Sequence, residues 1–148
     1  MKIKEIMTKS PACCEPSTNL HDVAHLMVEK DCGAIPIVEN FKTNKPVGII
    51  TDRDITVNTL AQGKNPLTMT AAEIMTYPVI SMTQEATVGE CCKTMETNKV
   101  RRLIVVDEAG GCCGIVAQAD VARTAPMFEA AGLVKEVSMK HQTVSSAT

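Results

Sequence analysis

Two short stretches of the chain combine groups that could bind a polar ligand. Residues 46–54 have the sequence PVGIITDRD, and residues 113–120 have the related sequence CGIVAQAD. In the first stretch an apolar run that suits a buried strand is followed by Thr51 and, three residues later, by Asp54. A Thr-x-x-Asp pair ahead of a helix brings a hydroxyl, a carboxylate and unpaired backbone N–H groups to the end of a strand. Nucleotides are often held by such groups.

The two stretches belong to a unit that occurs twice in the chain. The sequence EIMT of residues 5–8 recurs 68 positions later at residues 73–76, and IPIV of residues 35–38 recurs as LIVV at residues 103–106. Each copy predicts an opening turn, a strand, a capped amphipathic helix, two further strands and a closing helix. The predicted opening strands are residues 12–15 and 79–82. The predicted fold class is α/β (α+β), with two β-α-β-β-α repeats packed sheet to sheet about a pseudo-twofold axis.

The repeats also give the expected domain boundaries. The first repeat is predicted to span residues 1–63 and the second residues 64–125, with Gly63 as the stop of the first closing helix. Residues 126–148 are expected to form a short helix and a disordered tail.

Composition argues against several functional classes. Hydrophobic residues make up 45% of the 148, which is enough for an aliphatic core, but aromatic residues make up only 2%. Few aromatic rings, a net charge of -2 and the lack of a basic tract disfavour nucleic acid as a partner. No apolar run reaches the roughly 20 residues that span a bilayer, and no apolar signal segment is recognisable. We therefore expect no membrane partner and a cytoplasmic location.

Cysteine and histidine are the remaining candidates for chemistry. The chain has seven cysteines, six of them in adjacent pairs, whereas zinc and redox sites usually have Cys-x-x-Cys spacing. The favoured interpretation is that cysteines fill the core as small apolar residues, with a thiol-based metal site or redox switch as the alternative. His21 and His25 lie one helical turn apart without an evident third ligand, and His141 is remote from both, so no metal site is predicted.

The order of these motifs resembles that of a tandem CBS domain pair, also called a Bateman module. In the first copy the matching segments are residues 6–8 with Pro11, residues 33–38 and residues 48–54, and the resemblance extends over about residues 2–123. It implies a homodimer that binds an adenine nucleotide or related adenosyl ligand, such as AMP, ADP, ATP, NAD or S-adenosylmethionine, in clefts between the repeats. It also implies a non-catalytic regulatory role without a required cofactor. Because no output domain is attached, a separate regulated protein would be the readout.

The resemblance also implies roles for individual residues. The ribose would be bound by Thr51, Asp54 and Asp120, since a carboxylate can accept hydrogen bonds from both ribose hydroxyls; the alternative is that these residues only cap helices. The expected phosphate contacts are Arg53, Arg101, Arg102 and Lys99, with solvated or dimer-interface charges as the alternative. The expected base contacts, all equally suited to a core, are Ala12, Cys13, Ile35, Pro36, Val79, Ile80 and Leu103.

The second copy departs from the pattern, because Ala117 stands where the first copy has Thr51. We therefore expect an asymmetric pair in which the second site is weaker, differently selective or vacant. Arg123, three residues after Asp120, is expected to form a local ion pair with it. Two other functions stay open: a ligand-free dimeric scaffold and, less favoured, a cysteine-based redox or metal-binding protein.

Overall fold

The structure is a computed structural model that describes residues 1–124. The predicted C-terminal helix and tail, residues 126–148, lie outside the described residues. The chain divides into two compact units. Among residues 1–124, the first unit contains Ser10–Val79 and Ala109–Cys112, and the second unit contains residues 1–9, 80–108 and 113–124.

Each repeat contributes one long and one short α-helix. The helices are α1 (Leu20–Lys30), α2 (Asp52–Asn58), α3 (Val88–Asn98) and α4 (Gln118–Thr124). The predicted N-caps of the two long helices are confirmed: Asn19 accepts a hydrogen bond from the Asp22 N–H, and Thr87 forms a reciprocal capping box with Glu90. Both long helices bury one apolar face, as their spacing predicts.

Within residues 1–124 the strands form one sheet of four and one of two. They are β1 (Thr8–Lys9), β2 (Ala34–Val38), β3 (Pro46–Thr51), β4 (Ser81–Thr83), β5 (Arg102–Val106) and β6 (Cys112–Ala117). The larger sheet has the order β1-β6-β5-β4, with β4 parallel to β5 and β1 antiparallel to β6. The smaller sheet pairs β2 with β3 antiparallel and places Ile35 opposite Ile50. The mixed α/β class predicted from the sequence is confirmed.

Two local predictions are wrong. Residues 12–15 form no strand but a single bridge between Cys14 and Ile37. Prolines at positions 11, 16 and 36 lack the N–H groups that a longer ladder would need. The first closing helix also ends before Gly63, because Thr59 leaves the helical region at φ −124° and ψ −78°. Gly63, at φ 73°, instead ends a short 3₁₀ turn, Leu60–Gln62.

The opening segment of each repeat packs on the closing strand of the other repeat. In the first unit a Cβ atom at Gly48 would lie only 2.5 Å from the Met75 sulfur, and in the second unit a Cβ atom at Gly114 would lie still closer to the Met7 sulfur. Glycine allows this approach without a shift of either methionine. A compact unit therefore contains parts of both repeats, and the boundaries 1–63 and 64–125 stay predictions about the sequence repeats.

Each unit has its own aliphatic core. Core residues of the first unit include Cys14, and those of the second include Cys91 and Cys92, which confirms for these three the prediction that cysteine acts as a small apolar residue. Burial raises the pKa of Cys91 to about 12. Within residues 1–124 no helix is both long and apolar enough to cross a bilayer.

Candidate functional site

The junction of β3 and α2 carries the first candidate ligand pair. The Thr51 N–H donates to Asp54 Oδ2 at 2.9 Å, and the Asp54 N–H donates to Thr51 Oγ1 at 3.1 Å. Thr51 has extended backbone angles and is the N-cap of α2. The helix cap that the Thr-x-x-Asp spacing predicts is therefore present, and it fixes both side chains at the end of the strand.

The cap leaves part of each side chain available. Asp54 uses Oδ2 in the cap, whereas Oδ1 has no hydrogen-bond partner among the described residues. The hydroxyl oxygen of Thr51 acts as an acceptor, so its proton is also without a partner in that part of the chain. Both residues are half-buried. Capping and ligand contact are thus compatible at this junction, because they use different atoms.

The equivalent junction of the second repeat differs in the state of its carboxylate. Asp120 is 9% exposed, its Oδ2 accepts the Ala117 N–H at 2.8 Å, and its Oδ1 accepts from the Arg123 guanidinium. The predicted ion pair between Arg123 and Asp120 is confirmed. In the first repeat the position of Arg123 is occupied by Val57, which offers no such donor. Both oxygens of Asp120 are therefore engaged, whereas Asp54 has one oxygen engaged.

Arg101 and Arg102 lie exposed at the entry to β5, where the sequence places them. The Arg101 carbonyl accepts the Gln118 N–H at 2.8 Å, just as the Gly33 carbonyl accepts the Asp52 N–H at 3.0 Å in the first repeat. This bond holds the two arginines beside the start of α4. There they line an open groove of about 320 Å³ with Ala117, Gln118, Ala119 and Ala122.

The other two predicted phosphate ligands lie apart from this groove. Arg53 is exposed on the first turn of α2, and Lys99 is the left-handed C-cap of α3 at φ 56°. Neither lines the grooves described for the two units.

The predicted base contacts fall into two groups. Ile35 and Leu103 are 0% and 1% exposed and belong to the cores, so only their backbone groups could meet a ligand. Pro36 is buried as well, and its carbonyl already accepts the Cys14 N–H at 3.1 Å. The half-buried members are Ala12, Cys13, Val79 and Ile80.

The first unit also contains a groove of about 620 Å³ that the sequence does not predict. It lies between the C-terminal half of α1 and the start of α2, and it is lined by Cys32, Gly33 and Asp52 among others. A Cβ atom at Gly33 would lie 3.3 Å from Asp52 Oδ2, so glycine keeps this groove open. The one sequence feature that could have indicated this groove is that the second repeat has Arg101 at the position of Gly33.

Metal-ligating side chains do not converge in the part of the chain that the structure describes. Within residues 1–124 no three His, Cys, Asp or Glu side chains are grouped to hold an ion. The rings of His21 and His25 stack with centroids 6.4 Å apart on the exposed face of α1.

Comparison with protein families gives two matches within the chain. The CBS domain profile matches residues 3–58 and again residues 71–126. Hypoxic response protein 1 of Mycobacterium tuberculosis is 34% identical over 134 residues, which cover 90% of this chain and 92% of that protein. An uncharacterised protein of Methanopyrus kandleri is 32% identical over 130 residues, covering 88% of this chain and 65% of the relative.

Several solved structures share the fold. Hypoxic response protein I, solved with two coordinated zinc ions, superposes with a TM-score of 0.74 at 34% identity, over 85% of this chain and 100% of that one. The CBS domain pair of protein MJ0100, in complex with 5′-methylthioadenosine and S-adenosyl-L-methionine, gives 0.73 at 29% identity over 83% and 94%. CBSX2 in complex with AMP gives 0.67 at 25% identity over 84% and 95%.

Proposed function

The chain belongs to the CBS domain family, with two CBS repeats in tandem, and from this premise we propose that it is a non-catalytic regulatory module that binds an adenosyl ligand. The candidates are AMP, ADP, ATP, NAD and S-adenosylmethionine. Two similar CBS structures support this class, since one holds AMP and the other holds 5′-methylthioadenosine with S-adenosyl-L-methionine.

The proposal rests on the groups of Thr51 and Asp54 that the helix cap does not use, namely Asp54 Oδ1 and the Thr51 hydroxyl proton. Oδ1 of Asp54 is a charged acceptor, held in place because Oδ2 accepts the Thr51 N–H at 2.9 Å. Adjacent 2′ and 3′ hydroxyls of a ribose are two donors at a spacing that one carboxylate can accept, and hydrogen bonds to a charged group are stronger than neutral ones. The Thr51 hydroxyl supplies a donor beside them. Every candidate ligand contains this ribose, as do other ribonucleosides, so the pair recognises the ribose, and the contacts to the base must select adenine.

Phosphate groups would distinguish the members of the class. We assign Arg101 and Arg102 to phosphate binding because their guanidinium groups are exposed on one groove and form planar donor arrays that suit phosphate oxygens. AMP carries a phosphate, whereas 5′-methylthioadenosine does not. Replacing both arginines by alanine should therefore weaken AMP binding while leaving 5′-methylthioadenosine binding nearly unchanged.

The two repeats would contribute unequally. Asp120 already accepts from Ala117 and Arg123, and no threonine hydroxyl accompanies it. A ribose at this position would have to displace the guanidinium from Oδ1. We propose that a ligand whose ribose binds Asp54 is held more strongly than one whose ribose would bind Asp120.

Regulation requires that the ligand bind one conformation of the module better than another, because equal affinity shifts no equilibrium. We propose that the module acts as a homodimer and that a separate protein responds to the favoured conformation. In this account the chain itself carries out no reaction.

Thermal unfolding of the purified chain tests the proposal. A ligand that binds only the folded state adds RT ln(1 + [L]/Kd), about 2.7 kcal/mol at a hundredfold excess over Kd. The adenosyl compounds should raise the midpoint, and the matching guanosyl compounds serve as controls. If nucleotide-free protein shows no shift with any adenosyl compound, the ligand proposal fails and the dimeric scaffold becomes the better account.

A further inference from the structure

Two histidines lie side by side on the exposed face of α1. His21 and His25 are one helical turn apart, and their rings are nearly parallel, with centroids 6.4 Å apart and an angle of 8° between the planes. The buried face of the same helix is formed by Leu20, Val23 and Met27. Both histidines are exposed, so the core does not depend on them and solvent reaches both rings.

Most ring nitrogens of this pair have no partner within residues 1–124. His21 Nδ1 lies 3.5 Å from Asp22 Oδ1, and neither ring has another hydrogen bond in that part of the chain. A carboxylate beside Nδ1 favours the tautomer that carries its proton on this atom and donates it to the carboxylate. The lone pair of His21 Nε2 is then free, and metal-binding histidines are commonly oriented by a carboxylate in this way.

The charges along this part of α1 favour a cation. Asp22 follows His21 directly, and Glu29 lies one helical turn beyond His25. No lysine or arginine occurs between positions 20 and 29. Exposed carboxylates attract a divalent cation even in water, although salt weakens the attraction.

We propose that His21 and His25 form an open two-histidine site for a late first-row divalent cation, such as Zn²⁺, Ni²⁺ or Cu²⁺. Imidazole suits these ions, whereas Mg²⁺ and Ca²⁺ prefer oxygen ligands. The sequence alone predicts no metal site here, because a third ligand is not evident. The structure adds the parallel rings and the contact with Asp22, which are sufficient for a site with two protein ligands and water in the other positions.

The site is separate from the features assigned above. No three metal-ligating side chains are grouped among residues 1–124, so the pair is not part of a closed metal centre there. Neither histidine lines the groove of the first unit. The assignment therefore does not depend on the proposed adenosyl ligand.

Chelation requires only a small movement of the two rings. Metal–nitrogen bonds of about 2.0–2.1 Å bring the centroids of two imidazoles on one ion to about 5 Å from each other. The separation of 6.4 Å therefore has to shorten by about 1–2 Å. Exposed side chains rotate freely enough to cover this distance while the helix backbone stays in place.

The bound ion would stabilise the first two turns of α1. Both ligands come from one helix, and they face the same ion only while residues 21–25 are helical. An ion that binds this form better than the unfolded chain raises the free energy of unfolding. The stability of the first unit would thus depend on the concentration of the metal ion.

Calorimetric titration of the full chain with Ni²⁺ tests the pair. Ni²⁺ is the probe because, unlike Cu²⁺, it does not oxidise thiols, and Mg²⁺ is the negative control. His21→Asn and His25→Asn each remove one ligand with little change in helix propensity. His141→Asn is the matched control that removes a histidine outside the pair. The seven cysteines are the same in every variant, and thermal midpoints without metal show that each variant is folded.

Two double variants test the spacing of the histidines. In the His21→Asn background, Glu29→His rebuilds a pair with His25 four residues apart. Lys30→His in the same background places the new histidine five residues from His25, on a different face of the helix. Positions 29 and 30 are both exposed. The change of charge favours cation binding by the second double variant, so tighter binding by the first must come from spacing.

We expect His21→Asn and His25→Asn each to weaken Ni²⁺ binding by roughly tenfold or more, and His141→Asn to change it by less than about twofold. Adding Glu29→His to His21→Asn should recover roughly fivefold or more in affinity, and adding Lys30→His should not. The proposal is overturned if the wild type and His21→Asn bind Ni²⁺ equally, or if His141→Asn causes the same loss. It is equally overturned if the two double variants bind Ni²⁺ alike, since binding would then not depend on a chelating pair.

Discussion

Replacement of Asp54 by alanine separates the two roles that one carboxylate has in the proposed site. The substitution removes the hydrogen bond of 2.9 Å from the Thr51 N–H to Oδ2, a helix-cap contact worth about 0.5–2 kcal/mol of folding free energy. It also removes Oδ1, the charged acceptor proposed for the ribose hydroxyls. A hydrogen bond to a charged group contributes about 1.5–3 kcal/mol, which corresponds to a loss of affinity of roughly 10- to 150-fold.

The chain supplies a matched control on α3. There the Thr87 N–H donates to Glu90 Oε2 at 3.2 Å and the Glu90 N–H donates to Thr87 Oγ1 at 3.1 Å, the same reciprocal cap with no proposed ligand. Glu90→Ala should therefore reduce the free energy of unfolding by a similar amount without changing affinity. Urea unfolding measures the stability of each variant, and isothermal titration calorimetry with the adenosyl compound measures its affinity.

Two results would refute this reasoning. A folded Asp54→Ala protein that binds the ligand within about twofold of the wild type would show that Oδ1 makes no important contact. An equal loss of affinity in Glu90→Ala would show that the effect follows from reduced stability and not from a ribose contact.

Three further substitutions test the surrounding structure. Arg123→Ala should reduce the free energy of unfolding, measured in urea, by about 0.5–1 kcal/mol, because the solvent around the exposed guanidinium weakens its ion pair with Asp120. It should leave ligand affinity at the first repeat unchanged. A loss above about 3 kcal/mol would show instead that the pair behaves as a buried one. Hydrogen bonds from two N-terminal lysines lower the pKa of Glu85 to about 2, so the stability from this group is present above its ordinary value of 4.5 and is lost as the pH falls towards 2. The urea midpoint should therefore fall less steeply between pH 4.5 and 2 in Glu85→Gln, and parallel profiles would rule the contribution out. Gly48→Ala should cost about 1–3 kcal/mol in the same assay, because the added methyl group meets Met75, whereas an unchanged midpoint would mean that the methionine moves aside freely.

The repeats made most of the fold predictable. Apolar positions at helical spacing and capping residues such as Asn19 and Thr87 located the long helices, because local hydrogen bonds and one buried face determine where such helices begin. The opening strand of the first repeat was not predictable in the same way. Its pairing depends on which partner backbone lies alongside and on prolines that remove donors, and a local pattern does not show either.

The sequence predicted which residues form the proposed site, but not which of their atoms are already hydrogen-bonded within the chain. Spacing alone predicted the helix cap formed by Thr51 and Asp54, and the resemblance to CBS domain pairs added their proposed ribose role. Only the geometry shows that the cap uses one carboxylate oxygen and leaves the other. The sequence also suggested the pairing of Arg123 with Asp120, since three positions on a helix share a face.

The most direct test of the central claim is a crystal structure of the chain with the adenosyl compound that gives the largest thermal shift. The account predicts that the ribose hydroxyls lie within about 2.5–3.0 Å of Asp54 Oδ1, while Oδ2 keeps its hydrogen bond to the Thr51 N–H. Two results would contradict the claim that Thr51 and Asp54 bind the ribose through the atoms that their helix cap does not use. One is a ligand with its ribose on Asp120, and the other is a ligand that contacts neither Thr51 nor Asp54.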